Sequence, residues 1–347
     1  MNFLRIILFP FVPVYAAAVA LRNLFFDKNV FKAKSVTAKI ISVGNITVGG
    51  SGKTPLVIYL LNLLKKENRK PGVLSRGYGR SSSGYIFVSD GKKILTTVEE
   101  CGDEIYHTVL ECKVPAAVSE SRVHGAERLL KDAGIDVLVL DDAFQHRWIK
   151  RNVDLVICEQ RFLIEDSFIN HSLLPAGNLR EGFSALKRAD AVLINRKFSE
   201  PAPIPVKLEK YFKNKKVFTA CYHSIGFVDV VKKNEYTIEE FIGQKSLVVS
   251  GIANPFSFLN ALRQTKVDTE NRMIFRDHKN YTLKEIQNIR KKFYATNSHS
   301  VVTTEKDAVK LMQFSRELDD IDVFYLKIEL KMDDTESFKN FIINNLN

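Results

Sequence analysis

The chain has 347 residues, 45% of them apolar and 26% charged, which fits a folded globular protein large enough for two compact domains and excludes a disordered or low-complexity chain. Its net charge of +11 favours phosphate-rich partners such as nucleic acid, anionic lipid or a phosphorylated substrate. The four cysteines, Cys101, Cys112, Cys158 and Cys221, form no C-x-x-C pair, which argues against a disulfide framework or a thiolate metal site and fits a reducing compartment.

The first element is apolar. Ile6 to Leu21 carries no charge and is flanked by Arg5 and Arg22. It is shorter than the ~20 residues that comfortably span a bilayer, and Pro10 and Pro13 are expected to kink it. Lys28, Lys32, Lys34 and Lys39 follow, so the positive-inside rule assigns the body of the protein to the cytoplasm. Residues 1–25 therefore read as a membrane-associated segment, by short span or monotopic insertion. A cleaved export signal fits poorly with the nucleotide loop that comes next.

Lys39 to Val43 is a β-branched run suited to a buried parallel strand. Thr47-Val48-Gly49-Gly50-Ser51-Gly52-Lys53-Thr54 then supplies a backbone able to curl around an anion, and Pro55 sits where a helix should begin. Leu56, Leu60, Leu61 and Leu64 give that helix an apolar face. Strand, glycine-rich turn and helix together make a phosphate-binding loop. Backbone N–H groups hold the phosphates, Lys53 reaches the β- and γ-phosphates, and the Thr54 hydroxyl faces Mg²⁺. The strict pattern puts glycine where Thr47 stands.

Pro71 to Ser75 is a second strand, ending in Arg76-Gly77-Tyr78-Gly79-Arg80 at a position where open α/β sheets bind ligands; a basic surface turn reads equally well. The acidic run Glu99 to Glu104 caps a helix from Ile105 to Leu110, with Asp103 also available as a base. Val114 to Ser119 reads as a strand and Arg122 to Lys131 as a helix. Ile135 to Leu140 closes on Asp141 and Asp142, the arrangement in which a strand-end carboxylate meets Mg²⁺. Gln145, His146 and Arg147 follow directly. Val153 to Glu159 and Ala189 to Asn195 are further buried strands, and the loop between them carries Asn178, Arg180 and Glu181.

The Pro-rich segment from Ser199 to Pro205 marks a boundary region. Val217 to Tyr222 and Phe227 to Val231 read as an exposed strand pair, after which a βα rhythm resumes. Its strands are expected at Leu247 to Ser250, Arg272 to Phe275, Ser300 to Thr303 and Val323 to Ile328, and its last helix from Ser337 to Asn344. The expected fold is α/β: a P-loop parallel-sheet domain at 26–215 and a smaller α/β domain at 216–347, joined by a two-strand hinge.

These blocks resemble the tetraacyldisaccharide 4′-kinase family, the lipid A 4′-kinases of Gram-negative bacteria. The similarity rests on Gly44 to Pro55, on Leu74 to Arg80, Gly102-Asp103-Glu104, and Asp141 to Arg147. It continues through Leu174 to Gly177, Leu179-Arg180-Glu181 and Thr303 to Lys310, in that order. Thr47 in place of glycine is ordinary for that family, whereas Ala143 and Asn178 depart from its usual glycine and proline.

The resemblance implies ATP- and Mg²⁺-dependent phosphorylation of the 4′-hydroxyl of a tetraacylated disaccharide 1-phosphate, giving lipid IVA at the cytoplasmic face of the inner membrane. It implies that Asp103 is the catalytic base, paired with His278, while Lys53 and Mg²⁺ neutralise the transferring phosphoryl group. Thr54, Asp141 and Asp142 are the expected metal ligands, and Arg76, Gln145, His146, Arg147, Asn178, Arg180 and Glu181 the expected head-group side. No nucleic acid and no obligate protein partner is expected. A membrane-tethered P-loop switch without a lipid acceptor is the rival reading. It leaves a second α/β unit unexplained.

Overall fold

Short runs of Val, Ile, Leu and Ala form strands buried on both faces, and these strands join one mixed sheet. In this computed structural model the described residues are 2–252, 254–277 and 279–347. Among them, the first-half strands are β1 (Lys39–Gly44), β2 (Pro71–Ser75), β3 (Ile86–Asp90), β4 (Pro115–Val118), β5 (Val137–Leu140), β6 (Val153–Glu159) and β7 (Ala191–Asn195). The remainder are β8 (Lys216–Asp229), β9 (Glu235–Tyr236), β10 (Ser246–Ser250), β11 (Arg272–Ile274), β12 (Ser300–Thr303) and β13 (Val323–Met332). Their spatial order is β11-β10-β12-β13-β8-β7-β6-β1-β5-β2-β4-β3, with β9 paired to β8.

From β8 to β4 the neighbours are parallel, and β3 closes that edge antiparallel. β13 runs antiparallel to β8, and β12, β10 and β11 follow β13 in direction. The two residue sets along β8 explain the shape. Lys216 to Ala220 pair with β7, whereas Ala220 to Asp229 pair with β13. β8 thus continues past the C-terminal end of β7, and the second set of strands hangs on that extension and points back. The loops after both sets of strands consequently face one cleft, at the carboxyl ends where α/β sheets bind ligands.

This corrects the expected pair of exposed strands, Val217 to Tyr222 and Phe227 to Val231. The stretch is one strand of 14 residues, buried at Phe218, Ala220, Phe227 and Val228, and its antiparallel partner is β13. Gly226 lies where a Cβ would come within 2.3 Å of the Tyr236 carbonyl, so glycine there admits β9 rather than ending a strand.

Helix Lys53–Lys66 buries Leu56, Leu60, Leu61 and Leu64 against the sheet, as its spacing predicts, each contributing roughly 1.5–3 kcal/mol. Helix Asp103–Cys112 shares that core. So does the C-terminal helix Thr335–Leu346, through Phe338, Ile342 and Leu346, although sequence order assigns it to the second unit. The other sheet face is covered by helix Arg122–Ala133.

At the N-terminus, helical segments Asn2–Leu8, Phe9–Phe11 and Val12–Asp27 follow one another directly. Pro10 and Pro13 each stand in the first positions of a new segment, where a missing N–H costs little. Arg5–Asp27 is 23 residues long and apolar enough, by length and composition alone, to cross a membrane.

Candidate active site

The phosphate loop is shaped by its own glycines. Gly49 and Gly52 adopt φ of 96° and 100°, a left-handed backbone that side chains disfavour. At Gly52 a Cβ would also lie 2.3 Å from Asn195 Nδ2 and 2.4 Å from the Tyr222 hydroxyl. Neighbours fix the loop: Asn45 Nδ2 donates to Ser51 Oγ (2.9 Å), Asn195 Nδ2 to the Ser51 carbonyl (3.1 Å), and the Val48 N–H to the Asn178 carbonyl (2.8 Å). Helix Lys53–Lys66 starts without a side-chain cap, which leaves its first N–H groups for an anion.

Opposite the loop stand the two aspartates after β5. Asp142, at φ 48°, receives Lys53 Nζ at 3.5 Å and Arg180 Nη1 at 2.9 and 3.0 Å from its two oxygens. Burial pushes its carboxyl up, but the Lys53 and Arg180 charges outweigh that and hold it below the usual range. Asp141 is the reverse case. Burial, with the charges of Glu104 and Asp142, pushes it up to about 6. Its Oδ2 accepts from Ser75 Oγ at 3.2 Å, while Oδ1 is buried with no hydrogen-bond partner.

An orphaned carboxylate oxygen beside Asp142, close to the Lys53-Thr54 turn, suits a hard cation completed by phosphate and water oxygens. Among the described residues there is no cluster of three or more His, Cys, Asp or Glu side chains able to hold a metal by themselves.

The opposite wall of the cleft comes from two facing helices, Asp103–Cys112 and Glu305–Leu311. Lys310 Nζ lies 2.8 Å from Asp103 Oδ2, Lys306 pairs with Glu104, and His107 Nε2 sits 3.2 Å from Glu305 Oε2. Burial raises the Glu104 carboxyl, but Lys306 more than reverses this and lowers it. A cavity of about 510 Å³ is lined by the loop, Glu104, His107, Asp142, Arg180 and Glu305, together with the apolar side chains Phe198, Phe258, Leu326 and Ile328. Charged groups and apolar side chains in one cavity suit a nucleotide.

The remaining expected site residues divide into two groups. Arg76 is exposed after β2, and its charge reaches the half-buried His146, whose pKa burial and then Arg122 push down to about 4. Gln145 Nε2 donates to the Asn45 carbonyl at 2.7 Å, supporting the loop from beneath, and Thr47 is buried and bridged to Leu179.

Arg147, Asn178 and Glu181 instead hold the N-terminal helix. Arg147 binds Asp27 (2.7 Å) and the Asn23 carbonyl (3.2 Å), and stacks 4.9 Å from the Phe26 ring. Arg5 donates to Asn178 Oδ1 (3.0 Å). Glu181, 1% exposed, binds Asn23 (2.7 Å), Arg22 (3.3 Å) and Arg188 (3.0 Å). His278 lies outside the described residues.

Sequence reasoning missed several residues that shape the site. Arg122 is fully buried, donating to the Ser119 (2.6 Å) and Asp141 (3.2 Å) carbonyls, yet it reads in sequence as an ordinary helix start. Asn195, at the end of β7, and Tyr222, within β8, lie beside Gly52 and carry no motif. Lys306 and Lys310 were visible only as part of the unexplained Thr303 to Lys310 block.

The comparisons with known proteins agree with one another. The sequence profile of the family described as tetraacyldisaccharide-1-P 4′-kinase matches residues 4–347. A tetraacyldisaccharide 4′-kinase from Halothermothrix orenii is 36% identical over 327 residues, covering 90% of this chain and 83% of its own. One from Bacteroides thetaiotaomicron is 32% identical over 363 residues, with 97% and 92% covered. Among solved structures, the "apo" form of LpxK from Aquifex aeolicus in complex with ATP superposes with a TM-score of 0.81 at 30% identity, covering 99% of this chain and all of that one.

Proposed function

The chain belongs to the tetraacyldisaccharide-1-P 4′-kinase family, and from that premise we propose how its residues divide the work. It is a kinase of lipid A synthesis that uses ATP to phosphorylate the 4′ position of a tetraacylated disaccharide 1-phosphate. The observation that carries the residue assignment is the single cleft in which the phosphate loop faces Glu104, the neighbour of Asp103 at the same helix start.

On this reading, the N–H groups of Gly49 to Thr54 and the start of the following helix cradle the β- and γ-phosphates, and Lys53 turns from Asp142 to the γ-phosphate. Thr54, Asp141 and Asp142 would hold Mg²⁺, which would supply neutralisation of phosphate charge. Asp103 takes the proton of the 4′-hydroxyl as its oxygen attacks phosphorus, with His278 as its partner. The apolar wall at Phe198, Phe258, Leu326 and Ile328 takes the base of ATP. Arg180, Arg76 and His146 face the acceptor head group.

The two units, 26–215 and 216–347, close on each other along the β8–β13 ribbon to align ATP and acceptor. The N-terminal helix seats the enzyme on the cytoplasmic face of the inner membrane. It does so monotopically, because Arg5, Tyr15, Arg22 and Asn23 bind the body along its length while Ile6, Ile7, Phe11 and Val14 stay exposed. No obligate protein partner is required.

Transfer of labelled γ-phosphate from ATP to tetraacyldisaccharide 1-phosphate in detergent micelles tests the assignment. Lys53→Ala is expected to lower transfer by about two to three orders of magnitude, the scale of losing one charge-stabilising contact. Undiminished transfer in that variant, or ATP hydrolysis that ignores the lipid, contradicts it.

A further inference from the structure

We propose that Lys310 is a positioning residue for Asp103, delivered by the second unit so that the proposed base is held in place only when the two units are docked. The proposal rests on reading Asp103 as that base. Three observations carry it. The first is the contact itself: Lys310 Nζ and Asp103 Oδ2 are 2.8 Å apart, with side chains 9% and 5% exposed. An ion pair this far from solvent is not the screened surface kind, and removing one partner strands the other charge.

The second observation is geometry. Lys306 and Lys310 stand four residues apart on one face of helix Glu305–Leu311, and each meets one of the adjacent carboxylates Glu104 and Asp103. A matched pair of lysines therefore clamps a matched pair of acids at the start of helix Asp103–Cys112, where the helix dipole already favours negative charge. Gln313 to Glu99 extends the same interface.

The third is what fixes the lysines. Asp307, between them and fully buried, accepts from the Gly251 N–H (2.9 Å), the Thr304 hydroxyl (2.7 Å) and the Tyr281 hydroxyl (3.1 Å). The Thr304 hydroxyl also caps this helix through the Asp307 N–H (3.2 Å). The helix is thus tied to the loop after β10 through Gly251 and to Tyr281. Lys310 carries the position of the second unit's loops to a carboxylate of the first.

The test is a double-mutant cycle on the full-length enzyme in detergent micelles, with turnover, ATP affinity by equilibrium binding, and melting temperature measured for each variant. Lys310→Met is expected to lower kcat by roughly ten- to a hundred-fold, the cost of misplacing a reacting group by about 1 Å. Its KM for ATP should stay within about twofold of wild type. Lys310→Arg should recover most of the loss. In an Asp103→Asn background, Lys310→Met should change kcat by less than about twofold, because the partner it acts through is gone.

Wild-type turnover in Lys310→Met overturns the proposal, as does a loss that adds in full to that of Asp103→Asn. A melting temperature lowered equally in the Met and Arg variants with no kinetic rescue by Arg overturns it too. Lys310→Gln runs the same cycle if the Met variant does not fold. An active Asp103→Asn enzyme sinks the base reading and the Lys310 role with it. An inactive Asp103→Asn with an active Lys310→Met sinks the Lys310 role alone.

Discussion

His107 is a buried imidazole whose charge depends on a residue nearly two hundred positions away. Burial pushes its pKa down, but Glu305 at 3.2 Å more than reverses this, so it stands above the ordinary histidine value near 6.5. A histidine raised in the folded state contributes stability that is fully present below its unfolded pKa and lost as pH rises through the folded one. His107→Gln is therefore expected to lower the melting temperature more at pH 6 than at pH 9. Equal losses at the two pH values, or the opposite order, would show that Glu305 does not hold the proton there. At this scale the sequence was readable where a motif has a fixed local spacing: Lys53, Thr54 and Asp142 line one cavity, with Lys53 Nζ 3.5 Å from Asp142. Arg147, Asn178 and Glu181 sit in equally suggestive motifs, but what they touch comes from residues 5–27, and no local pattern encodes that contact.

At the scale of elements, the N-terminal helix presents Phe11 and Val14 outward, at 58% and 68% exposure, while its polar residues bind the body. Phe11→Glu with Val14→Glu should move the enzyme from the membrane fraction to the soluble fraction and leave ATP binding unchanged. Each buried methylene lost from a lipid interface removes about 0.8 kcal/mol. An unchanged distribution would place membrane attachment elsewhere. The parallel strands were legible because a strand covered on both faces must be continuously apolar. β8 was not. His223, Ser224 and Gly226 interrupt its apolar run, and the partner that keeps it extended, β13, begins almost a hundred residues later. Pairing over that separation leaves no trace in local periodicity.

For the whole molecule, the decisive feature is the reversal of strand direction at β8 and β13, which turns two sets of loops toward one cleft. One set offers a phosphate cradle and the other brings Lys306, Lys310 and Glu305 against the helix that begins with Asp103. The P-loop and the strand-end aspartates were readable as local motifs, whereas the contribution of the second unit required the topology. The central claim, that binding belongs to the loop and proton removal to Asp103, is tested most directly by single-turnover phosphoryl transfer in Asp103→Asn, with ATP affinity measured on the same sample. The account predicts wild-type ATP affinity and a transfer rate lower by about 10²–10⁴, the range contributed by a positioned base. Transfer at the wild-type rate, or a loss accounted for entirely by weaker ATP binding, would contradict it.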